Sequence, residues 1–275
     1  MKKDTMDRDI IAYYEKEANE DARLTTVARF EFVRTKEIIG RYLASGPLVI
    51  VDVAGATGAY AFWLTTMGHS VHLRDLVPLH VETARARSRE LSIPLASTGV
   101  GDARSLPYPG GFADIVLFMG PLYHLQERAD RIAALAESAR VLKPGGRMFC
   151  AAISRFSSLF SGLQLRLLDD PRFEAIVDRD LQDGRHTNIA PDKDYWTTAY
   201  FHEPADVRTE IAEAGLVCEK LIAVEGPVAL MRDLDTWIDA RDKYYGLALK
   251  YMKRVEEEES LLGAGYHLLA VAKKA

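Results

Sequence analysis

Continuous apolar runs alternate with amphipathic segments along most of the chain. Most of these apolar runs end in Gly or Asp, and they suit strands that are buried on both faces. They are PLVIVDVAG, SVHLRD, STGVGD, FADIVLFMG, RMFCAAIS, LVCEKLIAVEG and GYHLLAVAKK. Segments with apolar residues at helical spacing separate these runs. This alternation predicts an α/β fold, with a mostly parallel sheet covered by helices on both faces.

Two regions depart from this alternation. Residues 1–45 have helical spacing throughout, and residues 154–202 are too long for a connection and rich in Arg, His and aromatic side chains. We therefore expect an N-terminal helical cap at 1–45, a main domain made of 46–153 and 203–275, and a lid or substrate-binding insertion at 154–202. A charged amphipathic helix at 232–259 would pack on the sheet or on a second copy, so a homodimer is possible.

Composition and charge narrow the class of protein. The chain has 275 residues, a net charge of −5 and 27% charged residues, with bases dispersed among acids, which argues against a nucleic-acid partner. No apolar run is long enough to span a membrane. The two cysteines lie in apolar runs without metal-type spacing and are expected to be reduced thiols. We expect a cytoplasmic protein.

The segment VIVDVAGATGAYAFWL, residues 49–64, has the outline of a nucleotide-binding turn. A buried strand leads into a loop of small residues, and a helix N-terminus follows, with unpaired N–H groups that attract ligands. Asp75 closes the next strand 20 residues after Gly55, which is the spacing that lets a carboxylate reach a ribose. Together these features favour a cofactor that contains adenosine.

The order of motifs from Leu48 to Ile153 resembles class I S-adenosylmethionine-dependent methyltransferases. The motifs are VDVAGATG, the aspartate at 75, GDARSLPYPGGFADIVLF and RVLKPGG. The resemblance implies a Rossmann-like sheet of seven strands, of which GYHLLAVAKK would be the last and antiparallel one. The segments GRHTN, TTAYFHEP, VEGP and SLLGAGYHLLAVA are similar to those of a bacterial subgroup that methylates small molecules.

The resemblance also implies roles for individual residues. Asp52 would organise the loop near the methionine amino group, Asp75 would hold the ribose hydroxyls, and Asp102 would accept a hydrogen bond from the adenine amino group. Tyr14 lies on a helix that covers the cofactor in similar enzymes. The complete predicted cofactor set is Tyr14, Asp52, Ala54, Gly55, Gly58, Asp75, Leu76, Asp102, Ala103, Met119 and Gly120.

The loop departs from the family pattern, which places glycine at three alternate positions. Here these positions are Ala54, Ala56 and Gly58, with an additional Gly55. Alanine costs about 1 kcal/mol or more where φ is positive and little elsewhere. We expect Ala54 to be easily accommodated, because its position serves packing, and Ala56 to shift the loop slightly while cofactor binding is retained.

The acceptor side is less defined by sequence. His124, with Tyr123, follows the strand expected to reach the methyl group and is a candidate base, or a residue that packs and caps the next helix. From the insertion, His186 is a further catalytic candidate. The insertion also supplies the candidate substrate-binding residues Arg155, Tyr195, Tyr200 and His202. No pattern of carboxylates predicts a catalytic metal.

We therefore predict transfer of a methyl group from S-adenosylmethionine to O, N or S of a small molecule, with S-adenosylhomocysteine as the product. Two alternatives remain open at this point. A protein that binds the cofactor without catalysis would fit the alanine-bearing loop. A nicotinamide-dependent oxidoreductase shares the first turn but has no use for LKPGG or for Asp102.

Overall fold

The computed structural model describes residues 8, 10–15, 28–43, 45–231 and 243–275. Nine strands and nine labelled α-helices lie within these residues. The strands are β1 Val49–Val53, β2 Ser70–Asp75, β3 Ser97–Val100, β4 Ala113–Phe118, β5 Leu142–Ser154, β6 Arg185–His186, β7 Ala199–His202, β8 Leu216–Ala223 and β9 His267–Lys274. The helices are α1 Arg29–Gly40, α2 Ala59–Thr66, α3 Pro78–Glu90, α4 Pro121–His124, α5 Arg128–Val141, α6 Ser157–Gln164, α7 Pro171–Asp183, α8 Pro204–Glu213 and α9 Lys243–Val255. Residues 10–15 are also helical.

Seven strands form the main sheet in the order β3-β2-β1-β4-β5-β9-β8. The first five are parallel to one another, and β9 runs antiparallel to both of its neighbours. The predicted Rossmann-like sheet and its antiparallel last strand are therefore confirmed. The short strands β6 and β7 were not predicted; β7 pairs with the end of β5, through Ile153 and Phe201.

The central strands are apolar on both faces because a helical layer covers each face. Along β4, Val116 and Phe118 belong to one buried cluster, whereas Ile115 and Leu117 belong to the other. Successive side chains of a strand point to opposite faces, so a strand between two layers needs an unbroken apolar run. This requirement is why the sequence pattern located these strands well.

The insertion at 154–202 folds as a compact element beside the end of β5. It contains α6, a 3₁₀ turn at Leu167–Asp169, α7, β6 and β7. Five buried residues form its own small hydrophobic cluster, namely Phe173, Ile176, Val177, Ala190 and Tyr195. The many aromatic side chains of this segment therefore include a core of their own.

The predicted helix at 232–259 is found as α9 over Lys243–Val255, and residues 232–242 lie outside the described ranges. Tyr245 and Met252 of α9 pack with Phe30 of α1. Both cysteines are free thiols, as expected. Among the helices in the described ranges, none is long and apolar enough to cross a membrane.

Candidate active site

A cavity opens at the carboxyl ends of the parallel strands, where an open α/β sheet binds its ligands. All predicted cofactor residues except Gly58 line it, together with the candidates Tyr123 and His124. Gly58 lies at the end of the loop that follows β1, where its N–H donates to the carbonyl of Gly55. The structure therefore brings together residues that are separated by more than 100 positions in the sequence.

The loop between β1 and α2 turns sharply at both of its alanines. Ala54 has φ 59° and Ala56 has φ 47°, so both adopt the left-handed conformation. The expectation that Ala54 would be more easily accommodated than Ala56 is wrong in this respect, because both residues have a positive φ. Each alanine costs roughly 1–2 kcal/mol relative to an ordinary backbone conformation.

Two neighbouring glycines make this loop sterically possible. A Cβ on Gly55 would lie 2.7 Å from Oδ2 of Asp52, so the turn needs glycine there. Across the cavity, a Cβ on Gly120 would lie 3.1 Å from the Ala54 methyl group. The space that Ala54 takes up is therefore left free by Gly120, at the end of the fourth strand.

Asp52 is the most unusual polar group of the cavity. It is fully buried, and neither of its carboxylate oxygens has a hydrogen-bond partner among the described residues. Burial, and then the nearby negative charge of Asp75, raise the pKa of Asp52 to about 7. A buried carboxylate without partners is costly, and such groups are common where a ligand is bound.

Asp75 is already bonded within the protein. Its Oδ2 accepts from the N–H of Ala56 at 2.8 Å, and its Oδ1 accepts from the N–H of Val77 at 2.8 Å. Nδ1 of His80 lies 3.2 Å from Oδ1. These bonds fix the carboxylate against the loop while leaving Oδ2 with acceptor capacity for one more donor.

Asp102 is held by its neighbour on the loop after β3. The guanidinium of Arg104 donates to both oxygens of Asp102, with Nη2 2.7 Å from Oδ2. About a third of the Asp102 side chain remains exposed, with a relative exposure of 36%. The pair places a positive and a negative group at the far end of the cavity from β9.

Tyr14, His80 and His124 form an aromatic wall of the cavity. The Tyr14 ring packs edge-on against both imidazoles, and its hydroxyl lies 2.9 Å from Nε2 of His124. Burial lowers the pKa of His124 to about 4, so this imidazole is neutral near pH 7. A group with so low a pKa takes up protons poorly, so the shift disfavours His124 as a base even though the residue lines the cavity. The hydroxyl group of Tyr123 donates a hydrogen bond to the carbonyl of Met119.

His186 lies outside the cavity, contrary to the position that a catalytic role requires. It is completely buried, with Nδ1 2.7 Å from Oδ2 of Asp180 and Nε2 2.8 Å from the carbonyl of Tyr195. Its ring stacks on Phe201 at a centroid distance of 4.8 Å. Both ring nitrogens serve the packing of the insertion.

The four substrate-binding candidates of the insertion are likewise not among the residues that line the cavity. Tyr195 donates to Asp170 over 3.0 Å, and Arg155 donates to the carbonyl of Phe201 over 2.9 Å. Tyr200 and His202 contact the buried ion pair between Arg131 and Glu210. Cζ of Arg131 lies 3.7 Å from the centroid of the Tyr200 ring. Nε2 of His202 lies 3.4 Å from Oε2 of Glu210. These positions do not agree with the predicted role in substrate binding, because the four side chains contact other groups of the protein instead of the cavity.

Comparison with known proteins agrees with this geometry. Residues 51–150 match the family described as methyltransferase domain. The chain is 35% identical over 108 residues to a ubiquinone/menaquinone biosynthesis C-methyltransferase of Acidiphilium cryptum, covering 38% of this chain and 42% of that protein. It is 34% identical over 142 residues to a demethylmenaquinone methyltransferase of Deinococcus radiodurans, covering 49% and 56%. The chain thus spans about half the length of the curated relatives it matches.

The fold comparison covers more of the chain. The structure of an S-adenosylmethionine-dependent methyltransferase from Methanosarcina mazei superposes with a TM-score of 0.60 at 15% identity, covering 86% of this chain and 96% of that one. Residues 51–150 therefore form a methyltransferase domain, in agreement with the class I S-adenosylmethionine-dependent family that the sequence predicted. The family and the cofactor that the sequence predicted are confirmed.

The cavity of this methyltransferase domain fits S-adenosylmethionine by its chemistry. Asp52 offers two buried oxygens that have no hydrogen-bond partner in the part of the chain that the structure describes, and these suit the ammonium group of the methionine part. Oδ2 of Asp75 has room for a ribose hydroxyl, and the partly exposed carboxylate of Asp102 suits an amino group. Gly55 and Gly120 keep side chains away from the middle of the cavity.

Sequence reasoning missed several residues that line the cavity of the methyltransferase domain. These are Ile10, Glu31, Thr57, Ala59, Tyr60, Val77, His80, Gly101, Arg104, Pro121, Leu125, Ala151 and His267, as well as Ala56, which was considered only for its backbone. Two of these residues, His80 and His267, could have been predicted from their positions relative to the strands. His80 lies in the first turn after β2, and His267 begins the antiparallel last strand, so both lie at the carboxyl edge of the parallel strands.

Proposed function

We propose that this domain transfers a methyl group from S-adenosylmethionine to a small-molecule acceptor. The observation that carries the proposal is one cavity that crosses the strand ends from Asp102, beyond β3, to His267 on β9. One end offers groups that suit adenosine, and Asp52 in the middle suits an ammonium group. The part beyond β4 is left for the acceptor.

The residues of the chain would act by binding, orientation and exclusion of water. S-adenosylmethionine, when bound, supplies a methyl group on a positively charged sulfur, and the carbon–sulfur electron pair stays on that sulfur. Asp52 and Asp75 would fix the donor from the loop side, while Tyr14 would cover it. Positioning of two reactants is the main source of rate in such a displacement.

The proposal includes carbon as a possible acceptor atom, in addition to the O, N or S expected from the sequence. The two relatives compared above are named for C-methylation and for methylation of demethylmenaquinone. Both names point to quinone-type acceptors. The acceptor part of the cavity also includes the apolar Ala151 and the ring of Tyr60, which suit a flat organic molecule.

A second function, cofactor binding without catalysis, is favoured by one observation. The imidazole of His124, which follows the strand expected to face the methyl group, contacts the hydroxyl of Tyr14, and burial lowers its pKa to about 4, so it is a poor base. The carboxylates of Asp52, Asp75 and Asp102 line the cavity all the same. The choice between the two functions therefore depends on measured affinity and turnover.

Calorimetry followed by a transfer assay tests the proposal. We expect S-adenosylmethionine and S-adenosylhomocysteine to bind, NAD to show no binding, and Asp75→Ala to weaken binding of both. Purified protein would then be incubated with methyl-tritiated S-adenosylmethionine and 1,4-dihydroxynaphthalene as a soluble quinol. Binding without any transfer to this or other small acceptors would favour the non-catalytic function, and absence of binding would contradict both.

A further inference from the structure

The acceptor end of the cavity contains a further histidine, His267, which belongs to none of the sequence motifs of the cofactor site. His267 begins β9, opposite Ile153 of β5, and it lines the cavity together with Ala151 of that strand. In the order of the sheet, β9 follows β4 and β5 on the side away from Asp75 and Asp102. His267 therefore lies beyond the strand whose end is expected to face the methyl group.

Glu225 holds this histidine at two points. Its Oε2 accepts the backbone N–H of His267 at 3.0 Å, and its Oε1 lies 2.6 Å from Nδ1 of the imidazole. The Glu225 side chain is almost completely buried, with 6% exposure. A carboxylate that accepts from Nδ1 keeps the proton on that nitrogen, so proton exchange with a molecule in the cavity goes through Nε2.

A second carboxylate lies close by. Oε2 of Glu31, on α1, is 3.7 Å from Nδ1 of His267, and Glu31 also lines the cavity. A proton taken up by the imidazole would be stabilised by two negative charges. The same carboxylates, with Asp52, disfavour an acceptor that carries a negative charge.

The backbone is shaped to bring these groups together. Gly226, directly after Glu225, has φ +52°, and a Cβ there would lie 2.3 Å from Cε of Met252. A Cβ on Gly265 would lie 2.9 Å from the backbone nitrogen of Gly226. Only glycine permits this close approach of the two segments. The motifs VEGP and GYHLLAVA, which the cofactor site leaves unexplained, thus meet at this pair.

We propose that His267, oriented by Glu225, is the base of the reaction, and that the acceptor is an uncharged molecule with an acidic hydroxyl group, such as a phenol or quinol. This proposal rests on the proposed methyl transfer. The hydroxyl proton passes to Nε2 of His267, and the O–H electron pair stays with the acceptor, which becomes the nucleophile. Glu225 is then a positioning residue, because it acts through the imidazole. A positioned base contributes about 10²- to 10⁴-fold to such a rate.

Three variants test the proposal with 1,4-dihydroxynaphthalene as acceptor. His267→Asn keeps a donor towards Glu225 but removes the base, so we expect transfer to fall about 100-fold or more and the acidic limb of the pH–rate profile to disappear. Glu225→Gln should slow transfer about 10-fold. Glu219→Gln, on β8 and paired with Arg147 near the surface, removes a carboxylate six residues before Glu225, so it is the matched control and should behave as wild type. All three should bind S-adenosylmethionine within twofold of wild type.

Nitrogen-15 spectra of labelled histidine give a result that does not depend on the acceptor. We expect His267 to have its proton on Nδ1 in the wild type and a mixture of tautomers in Glu225→Gln. A proton on Nε2 in the wild type, or full-rate transfer by His267→Asn with cofactor binding intact, would overturn the role of His267 while leaving methyl transfer standing. Absence of cofactor binding by the wild type would instead contradict the proposed function.

A chelator distinguishes two possible roles of His267, namely a base and a ligand in a metal site formed with the neighbouring carboxylates. The ligand atoms of Glu31, Glu225 and His267 all lie within 4.8 Å of one another. We expect transfer to be unaffected by EDTA. Loss of transfer that added divalent metal restores would overturn the assignment of His267 as a base.

Discussion

Asp52 and His186 are both completely buried polar side chains, and their surroundings are opposite. Asp52, near the carboxyl end of β1, has no hydrogen-bond partner for either oxygen among the described residues. His186, in the insertion, has a partner for each ring nitrogen and a stacked aromatic ring. A buried group without partners costs stability, whereas a satisfied one fixes local structure. Asp52 therefore belongs to a cavity that can bind a ligand, whereas His186 belongs to a segment that it stabilises through its own contacts.

The difference also shows why a high density of charged and aromatic residues is weak support for a binding site. The insertion contains several histidines, arginines and tyrosines, but each one considered above is used by a neighbour. At the carboxyl ends of the parallel strands, the buried Asp52 and the partly exposed Asp102 both line the cavity. We therefore expect substitutions in the two regions to affect different measurements.

Replacing His186 with leucine should cause the largest loss of stability. The change leaves the fully buried carboxylate of Asp180 without its partner, which typically costs about 3–5 kcal/mol of the free energy of unfolding. Urea unfolding would measure this loss. Adding Asp180→Leu should recover most of it, since the isolated charge is then removed.

Arg185→Leu, which breaks an exposed ion pair with Glu127, is the matched control and should cost at most about 1 kcal/mol. The affinity of the folded protein for S-adenosylmethionine should be unchanged in both variants. A large loss of affinity in His186→Leu with stability preserved would place this residue in the active site and contradict the comparison.

Asp52→Asn should have the largest effect on cofactor binding. It removes the charge that would face the ammonium group, and hydrogen bonds to charged groups contribute about 1.5–3 kcal/mol, or roughly 10- to 150-fold in affinity. Calorimetry with S-adenosylhomocysteine measures the change. The same variant should be more stable than wild type at pH 8, because the cost of ionising a buried carboxylate is gone. Unchanged affinity would exclude Asp52 from the cofactor site.

The pH dependence of binding sharpens this point. The pKa of Asp52 is raised from 3.8 to about 7, so its carboxylate gains a proton as the pH falls through 7. Affinity for S-adenosylhomocysteine should therefore fall about tenfold between pH 8 and pH 6 in the wild type and much less in Asp52→Asn. Because the folded pKa is the higher one, the free energy of unfolding should decrease as the pH rises from about 4 to 7, and Asp52→Asn should lack this contribution. If the affinities of wild type and Asp52→Asn changed in the same way with pH, a group other than Asp52 would be responsible for the pH dependence.

The sequence allowed the sheet and the cofactor end to be predicted because both depend on local patterns. Buried strands need continuous apolar runs, and the loop at 52–58 with Asp75 follows from chain spacing alone. The acceptor end depends instead on Glu31, Glu225 and His267, which approach one another from distant positions through the packing of α1 against the sheet. The hydrogen-bond partners of His186 and His202 lie within ten residues of them in the chain but on other elements or loops of the fold. Residue type alone therefore could not separate a base from a packed imidazole.

The smallest expected effect concerns the loop itself. Ala56 has φ 47°, a conformation that glycine adopts at no steric cost, so Ala56→Gly should raise the free energy of unfolding by up to about 1 kcal/mol. Ala59→Gly, at the first position of α2, is the control and should lower it by about 0.5–1 kcal/mol. Ala56 contacts Asp75 through its backbone N–H, which glycine keeps, so affinity for S-adenosylhomocysteine should stay within threefold. A much larger gain in affinity would show that the methyl group of Ala56 presses on the cofactor, and that the loop accepts the cofactor at a cost.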